Sequence, residues 1–346
     1  MMKILVINLR FLGDVLLTTP LIRSLRLTYP NAKIDVLVYG NVVGMLEGNT
    51  DVSELIIAPQ RASLKSHWQM LKRLHRDYDL AITTQSGDRP FLYALMASSC
   101  RIGVVPPKPN TGWQKRFFLH KWLEYDDVNT HTLLQHLKLL SLINVPPCFE
   151  VVPPKTGDSV KIDKPYIVLH PHPQWTYKQW TVEGWREIGR FLQGLGFKVV
   201  LTGSPAEVEM CYVSEIAKDL PDVLNLSGRL SLAQLSDVLK NAVLYIGVDT
   251  GITHLAAATG VPVIALYGAT NPVKWSPFPF AYAENKNPFD RVGSKTVNNV
   301  SLLQGEKPCV PCHEEGCERH QQSRSACLDE LSAERVKLAI RSALKI

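Results

Sequence analysis

Short apolar runs alternate along this chain with longer stretches of helical spacing. Lys3–Asn8, Lys33–Val38 and Leu80–Thr83 read as strands of a first series. Between the first two, Val15 onward reads as a helix with Leu17, Leu21, Ile22 and Leu25 facing inward. A further helix is expected near His67–Arg76. Pro146, Pro147, Pro153 and Pro154 then mark residues 144–164 as a linker. A second series follows, with strands at Tyr166–His170, Phe197–Thr202, Ala242–Val248 and Pro262–Tyr267. Thr181–Trp185 opens one helix, His254–Thr259 forms another, and Leu331–Leu344 closes the chain as an amphipathic helix. Strand and helix in alternation predict parallel sheets. The length of 346 residues suits two domains, bounded at 1–157 and 158–346.

Two strand-to-helix turns carry candidate chemistry. Arg10-Phe-Leu-Gly-Asp14 follows the first strand, so Asp14 stands at the carboxyl end of a parallel sheet, where such folds place their sites. Val248-Asp249-Thr250-Gly251-Ile-Thr-His254 follows a later strand and opens an Ala-rich helix. A helix N-terminus there offers unpaired N–H groups to a phosphate, and His254, one turn in, can add a donor. The plain alternative makes Asp14 and Asp249 helix caps and no more.

Formal charge is +6, but residues 61–121 alone carry eleven basic against three acidic groups, an excess of eight. Trp68, Trp113, Phe117, Phe118 and Trp122 are interleaved, and residues 104–113 have the composition of a loop. The segment reads either as a surface for an anionic acceptor or lipid headgroups, or as a solvated basic face over core aromatics. No nucleic-acid-binding motif accompanies it. The first turn also lacks the G-x-G-x-x-G of dinucleotide-binding enzymes. The apolar start is broken by Arg10 and Asp14 without a cleavage site, which predicts no signal peptide and a cytoplasmic protein, peripheral to the inner membrane at most. Cys309, Cys312, Cys317 and Cys327, spaced C-x2-C-x4-C-x9-C, leave open a structural zinc site or a reduced cysteine loop.

The stretch from Val248 to Pro272 resembles the D-[TS]-G-x-x-H signature of glycosyltransferase family 9, the heptosyltransferases of lipopolysaccharide core assembly. Arg10 to Pro20 is similar to that family's R-x-x-G-D-x-x-x-x-x-P motif, and Lys3 to about Val38 looks most like the heptosyltransferase III branch. The resemblance implies a GT-B type α/β fold, with two facing Rossmann-like domains of parallel sheets. It implies inverting transfer of heptose from ADP-L-glycero-D-manno-heptose to the lipopolysaccharide inner core at the cytoplasmic membrane face, with no cofactor. Asp14 matches the family's proposed general base. Asp249, Thr250, Gly251 and His254 match its diphosphate cradle, Lys178 a lysine before a Trp-containing helix, and Glu207 an acid on the donor ribose. Pro173 and Gln174 replace small hydroxyl residues that relatives carry upstream of that lysine. Arg61, Lys65 and Arg116 are the candidate acceptor contacts. A non-catalytic nucleotide-sugar-binding protein, a transferase of another sugar and a basic lipid-surface scaffold are the alternatives.

Overall fold

A computed structural model describes every residue except 61–62, 108–111 and 164. The chain divides into two compact units, Met1–Pro154 with Ala283–Lys286, and Lys155–Tyr282 with Asn287–Ile346. No helix or strand is found among the described residues between Ser141 and Tyr166, the proline-rich stretch.

The first unit holds one six-stranded sheet. Its strands are β1 (Lys3–Ile7), β2 (Lys33–Tyr39), β3 (Glu54–Ala58), β4 (Leu80–Thr83), β5 (Arg101–Val105) and β6 (Lys121–Glu124). They lie in the order β3-β2-β1-β4-β5-β6. Every neighbour pair is parallel. Ile4, Leu5, Val6 and Ile7 are wholly buried, as expected of a strand covered on both faces. Each such side chain contributes about 1.5–3 kcal/mol on leaving water. Strand order reverses between β1 and β4, so the connections leave that sheet edge in opposite directions and open a crevice there.

The helix expected after β1 is two helices, Leu12–Leu16 and Thr19–Thr28. Pro20 lies in the first turn of the second, where its missing N–H costs nothing, and the chain restarts there. Leu17, Leu21, Ile22 and Leu25 are buried as the spacing predicts. The expected loop at residues 104–113 also hides order, because β5 runs to Val105 and a short helix, Trp113–Phe118, starts at its far end.

The second unit repeats the architecture with β7 (Tyr166–His170), β8 (Lys198–Leu201), β9 (Leu224–Asn225), β10 (Leu244–Val248), β11 (Val263–Tyr267), β12 (Lys295–Val297) and β13 (Val300–Gln304). Their order is β12-β13-β11-β10-β7-β8-β9, and only the β12–β13 pair is antiparallel. Here the reversal falls between β7 and β10, which run in register from Ile167 opposite Leu244 to His170 opposite Gly247. Trp180 and Trp185 pack edge to face, 5.2 Å between ring centres, in the core beneath. The closing helix runs Ala333–Leu344, capped by Ser332, and buries Val336 and Ile340.

Candidate functional site

At the first reversal, Asn8 follows β1 and ties the turn together. Its Nδ2 donates to the Asp14 carbonyl at 3.2 Å and to Thr18 Oγ1 at 2.7 Å, while Thr18 Oγ1 donates to the same carbonyl at 2.8 Å. Gln85, just past β4, accepts from Leu9 N at 2.9 Å and donates from Nε2 to Asn8 Oδ1 at 3.3 Å. These bonds fix the Asp14 backbone across the reversal. Phe11, not Asp14, occupies the N-cap position, so the capping explanation of Asp14 fails. The Asp14 carboxylate lines a cleft of about 330 Å³ with Arg10, Tyr39, Gln85, Tyr125 and His136. Arg10 Nε lies 3.7 Å from Asp14 Oδ1. The Tyr125 phenol is held well above its ordinary pKa, chiefly by burial and then by Asp127, with Asp14 adding to the effect. Tyr125 therefore stays a neutral hydroxyl beside an acidic group.

At the second reversal, the tight turn after β10 leads straight into the helix Gly251–Thr259. Thr250 is its N-cap, accepting from Thr253 N at 3.3 Å, and Gly260 ends it in the left-handed region at φ 86°. The helix thus begins three residues earlier than the expected His254. Capping by Thr250 leaves Asp249 to other partners. Its Oδ2 takes Lys178 Nζ at 2.6 Å and Thr270 Oγ1 at 2.6 Å, and its Oδ1 takes the Tyr267 hydroxyl at 3.4 Å. Burial pushes the Asp249 pKa up, but the charge and hydrogen bond of Lys178 and the bond from Thr270 outweigh it, so the group is held below its ordinary value. Lys178, on the loop after β7, and Asp249, after β10, bridge the reversal.

A buried carboxylate holds Lys178, with the Trp175 and Tyr177 rings 5.0 and 5.8 Å from its ammonium. Among the described residues, the N–H groups of Gly251 and Ile252 have no backbone acceptor. His254 is buried, and that burial lowers its pKa to about 4, with Asp249 opposing and Lys178 adding to the drop. It is a neutral imidazole at pH 7, and its buried Nδ1 has no hydrogen-bond partner among the described residues. A helix start with open N–H groups, an anchored ammonium and an unsatisfied imidazole can take up an anion with several oxygens.

Other expected residues fall elsewhere. Glu207 is exposed at the start of the helix Glu207–Ala217 and makes no ion pair among the described residues. Two residues on, Glu209 turns inward instead, accepting from Ser204 Oγ and lying 4.0 Å from His170 Nε2. Its side chain is only 13% exposed, so the inward carboxylate here is Glu209. Arg61 lies outside the described residues, and Lys65 is exposed. Arg116 is occupied, pairing with Glu124 at 3.2 Å, donating to the Pro106 carbonyl at 2.6 Å and packing on Trp122. That makes it a tie between β5 and β6 rather than an open acceptor contact. Among the described residues, no group of three or more His, Cys, Asp or Glu is placed to hold a metal ion, Cys309, Cys312, Cys317 and Cys327 included. The four are free thiols, and Cys327 is pushed up to about 11, first by burial and then by the other three.

Thr270, Tyr267, Gln85, Tyr125 and His136 were not singled out from sequence. Only Thr270 left a signal there, as a hydroxyl closely following an apolar strand.

The family model for Glycosyltransferase family 9 (heptosyltransferase) matches residues 67–304. Lipopolysaccharide heptosyltransferase 3 of Escherichia coli is 30% identical over 287 residues, covering 78% of this chain and 84% of that protein. Among solved structures, the family 9 glycosyl transferase of Veillonella parvula superposes with a TM-score of 0.77 at 20% identity, covering 99% of this chain and 97% of the other. The E. coli heptosyltransferase WaaC with ADP gives 0.74 at 20%, covering 99% and 100%. The fold is accordingly the GT-B type, and Asp14 and Asp249 sit at equivalent strand-order reversals of its two parallel sheets. On this match and this identity, the chain belongs to glycosyltransferase family 9, the heptosyltransferases.

Proposed function

We propose that the chain transfers heptose from ADP-L-glycero-D-manno-heptose to the inner core of a lipopolysaccharide, as a heptosyltransferase III. One observation carries the reading: Lys178 is anchored by Asp249 beside the open N–H groups of Gly251 and Ile252. That arrangement suits the diphosphate of a nucleotide sugar. Its support from relatives is the lipopolysaccharide heptosyltransferase 3 of E. coli and the ADP held by WaaC.

In this mechanism Asp14 takes the proton of the acceptor hydroxyl as that oxygen attacks the anomeric carbon. The bond to the diphosphate breaks in the same step, so the configuration inverts. Negative charge grows on the departing ADP, where Lys178 and the helix N–H groups meet it. Neutral His254 contributes one N–H rather than a charge. Incubation with the donor and a truncated core acceptor is expected to release ADP and lengthen the acceptor by one heptose. Normal ADP binding without transfer would favour the non-catalytic nucleotide-sugar-binding alternative.

The acceptor of this reaction is a lipid, and peripheral attachment to a membrane is part of the proposal. No helix among the described residues is long and apolar enough to cross one. The helix Trp113–Phe118, however, is inside out. Lys115 is 9% exposed and pairs with Asp88 at 2.7 Å, whereas Trp113 is 70% and Phe117 77% exposed. With Phe118, 42% exposed, these are three aromatic side chains of about 150–250 Å² each; they fall short of the roughly 800 Å² per partner of a stable protein interface, but suffice for a shallow lipid anchor. Trp113→Ser with Phe117→Ser is expected to lower partitioning onto anionic phospholipid vesicles about tenfold or more, at roughly 1.5–3 kcal/mol for each large apolar side chain. Unchanged co-sedimentation would rule out this helix as the anchor.

A further inference from the structure

Lys178 stands on a three-residue turn, Thr176–Lys178, that has no side-chain cap and no fully buried residue. Such a turn is too short to hold a cation to a fixed place by itself. It is tied by hydrogen bonds to residues 321–325, about 145 positions later. Thr176 N donates to the Gln321 carbonyl at 3.0 Å, Ser325 Oγ donates to the Tyr177 carbonyl at 2.7 Å, and Arg324 Nη1 donates to Gln179 Oε1 at 3.2 Å. Ser325 is 2% exposed, so its hydroxyl has little access to water as an alternative. Arg324 is itself braced by Asp329.

The same strap reaches the other side of the site. His313 N donates to the Ala269 carbonyl at 3.0 Å, next to the Thr270 that bonds Asp249. At Gly268 a Cβ would come within 2.9 Å of Cys327 Sγ and 2.8 Å of Leu328 Cγ, so only glycine allows this approach. Two partners of Asp249, Lys178 on one loop and Thr270 on another, are thus tied to one late segment of chain.

We infer that residues 313–325 form the positioning element of the donor-phosphate site, with Ser325 and Arg324 as the positioning residues for Lys178. This rests on the donor-site reading given above. The strap touches the turn's backbone and Gln179, not the ammonium, so its effect on ligand passes through where Lys178 is held. A ligand that does not need Lys178 should not sense it.

The test compares Ser325→Ala, Arg324→Met and their combination with Lys178→Ala in the full chain, using ADP and AMP by calorimetry and the donor KM by turnover. Each single change is expected to weaken ADP about fivefold, the scale of one lost hydrogen bond, and the pair by about tenfold or more. The donor KM should rise in parallel, AMP should change less than twofold, and Ser325→Thr with Arg324→Lys should recover most of the loss. Wild-type ADP affinity in the strap variants, beside a clear loss in Lys178→Ala, would overturn the inference and leave the donor site standing. Equal losses for AMP and ADP would mark general loosening and overturn it too. If Lys178→Ala itself binds ADP normally, the donor-site reading falls and takes this one with it. Should the combined variant fold poorly by its melting curve, Ser325→Ala, which deletes one oxygen, decides alone.

Discussion

Asp14→Asn is expected to keep ADP affinity and lose roughly 100-fold or more in turnover, the scale of a lost general base. The substitution retains shape and hydrogen-bonding ability, so the cleft should survive. The Asp14 carbonyl, not its side chain, receives the bonds from Asn8 and Thr18 that hold the turn. What disappears is the capacity to accept a proton, along with the charge facing Arg10 at 3.7 Å. That ion pair involves a side chain 42% exposed and contributes little to stability, so the melting temperature should hardly move. Wild-type turnover by Asp14→Asn would remove Asp14 from the chemistry. A large fall in both melting temperature and ADP binding would make it a structural residue instead.

Asp249→Ala should produce the largest loss of stability. Lys178 and Asp249 are 16% and 8% exposed, so removing the carboxylate strands an ammonium in a poorly hydrated place. Breaking such a pair costs about 3–5 kcal/mol. For a unit of this size that is a fall of roughly 6–20 °C in melting temperature. A simple charge argument predicts tighter ADP binding once a carboxylate near the phosphates is gone. The geometry argues the opposite, because Asp249 is already offset by Lys178, Thr270 and Tyr267 and serves to aim the lysine. ADP should therefore weaken about tenfold or more, as when a charged hydrogen bond is lost. The double variant Asp249→Asn, Lys178→Met removes both charges, so it should recover much of the melting temperature but none of the ADP affinity. Recovery of both would make the pair a matter of folding alone. Tighter ADP binding by Asp249→Ala would show that repulsion outweighs aiming.

The two strand-to-helix turns were legible because each follows a largely apolar strand with an acidic residue and a glycine within a few positions of its end. The parallel architecture followed from that alternation. What the sequence concealed were contacts made across long separations. Nothing local reveals that Thr250 rather than Asp249 caps its helix, since both are good caps; Lys178, some 70 residues earlier, decides it by claiming the carboxylate. Glu207 and Glu209 both fall in the first turn of one helix, and only the fold selects which one faces His170. The basic segment misled in a similar way. Its charge excess is real, yet the largely buried Lys115 and Arg116 side chains pair with Asp88 and Glu124, while Trp68, Trp113, Phe117 and Phe118 face outward. Residue counts register the excess but not its direction.

The strap has a consequence for the order in which the enzyme comes into being. All strands of the Asp14 sheet lie within the first 124 residues, so that half of the chemistry can assemble early in synthesis. The donor half cannot. Its last parallel strand ends at Gln304, Lys178 awaits Gln321 to Ser325, and Trp180 Nε1 finds its acceptor only at the Leu331 carbonyl, 2.8 Å away. At about 5–20 residues per second, a ribosome needs roughly eight to thirty seconds to travel from Lys178 to Leu331. For that interval the nascent chain carries a formed base and an unformed phosphate cradle. A chain cut short before the strap should then be stable in its first half and unable to hold a nucleotide in its second.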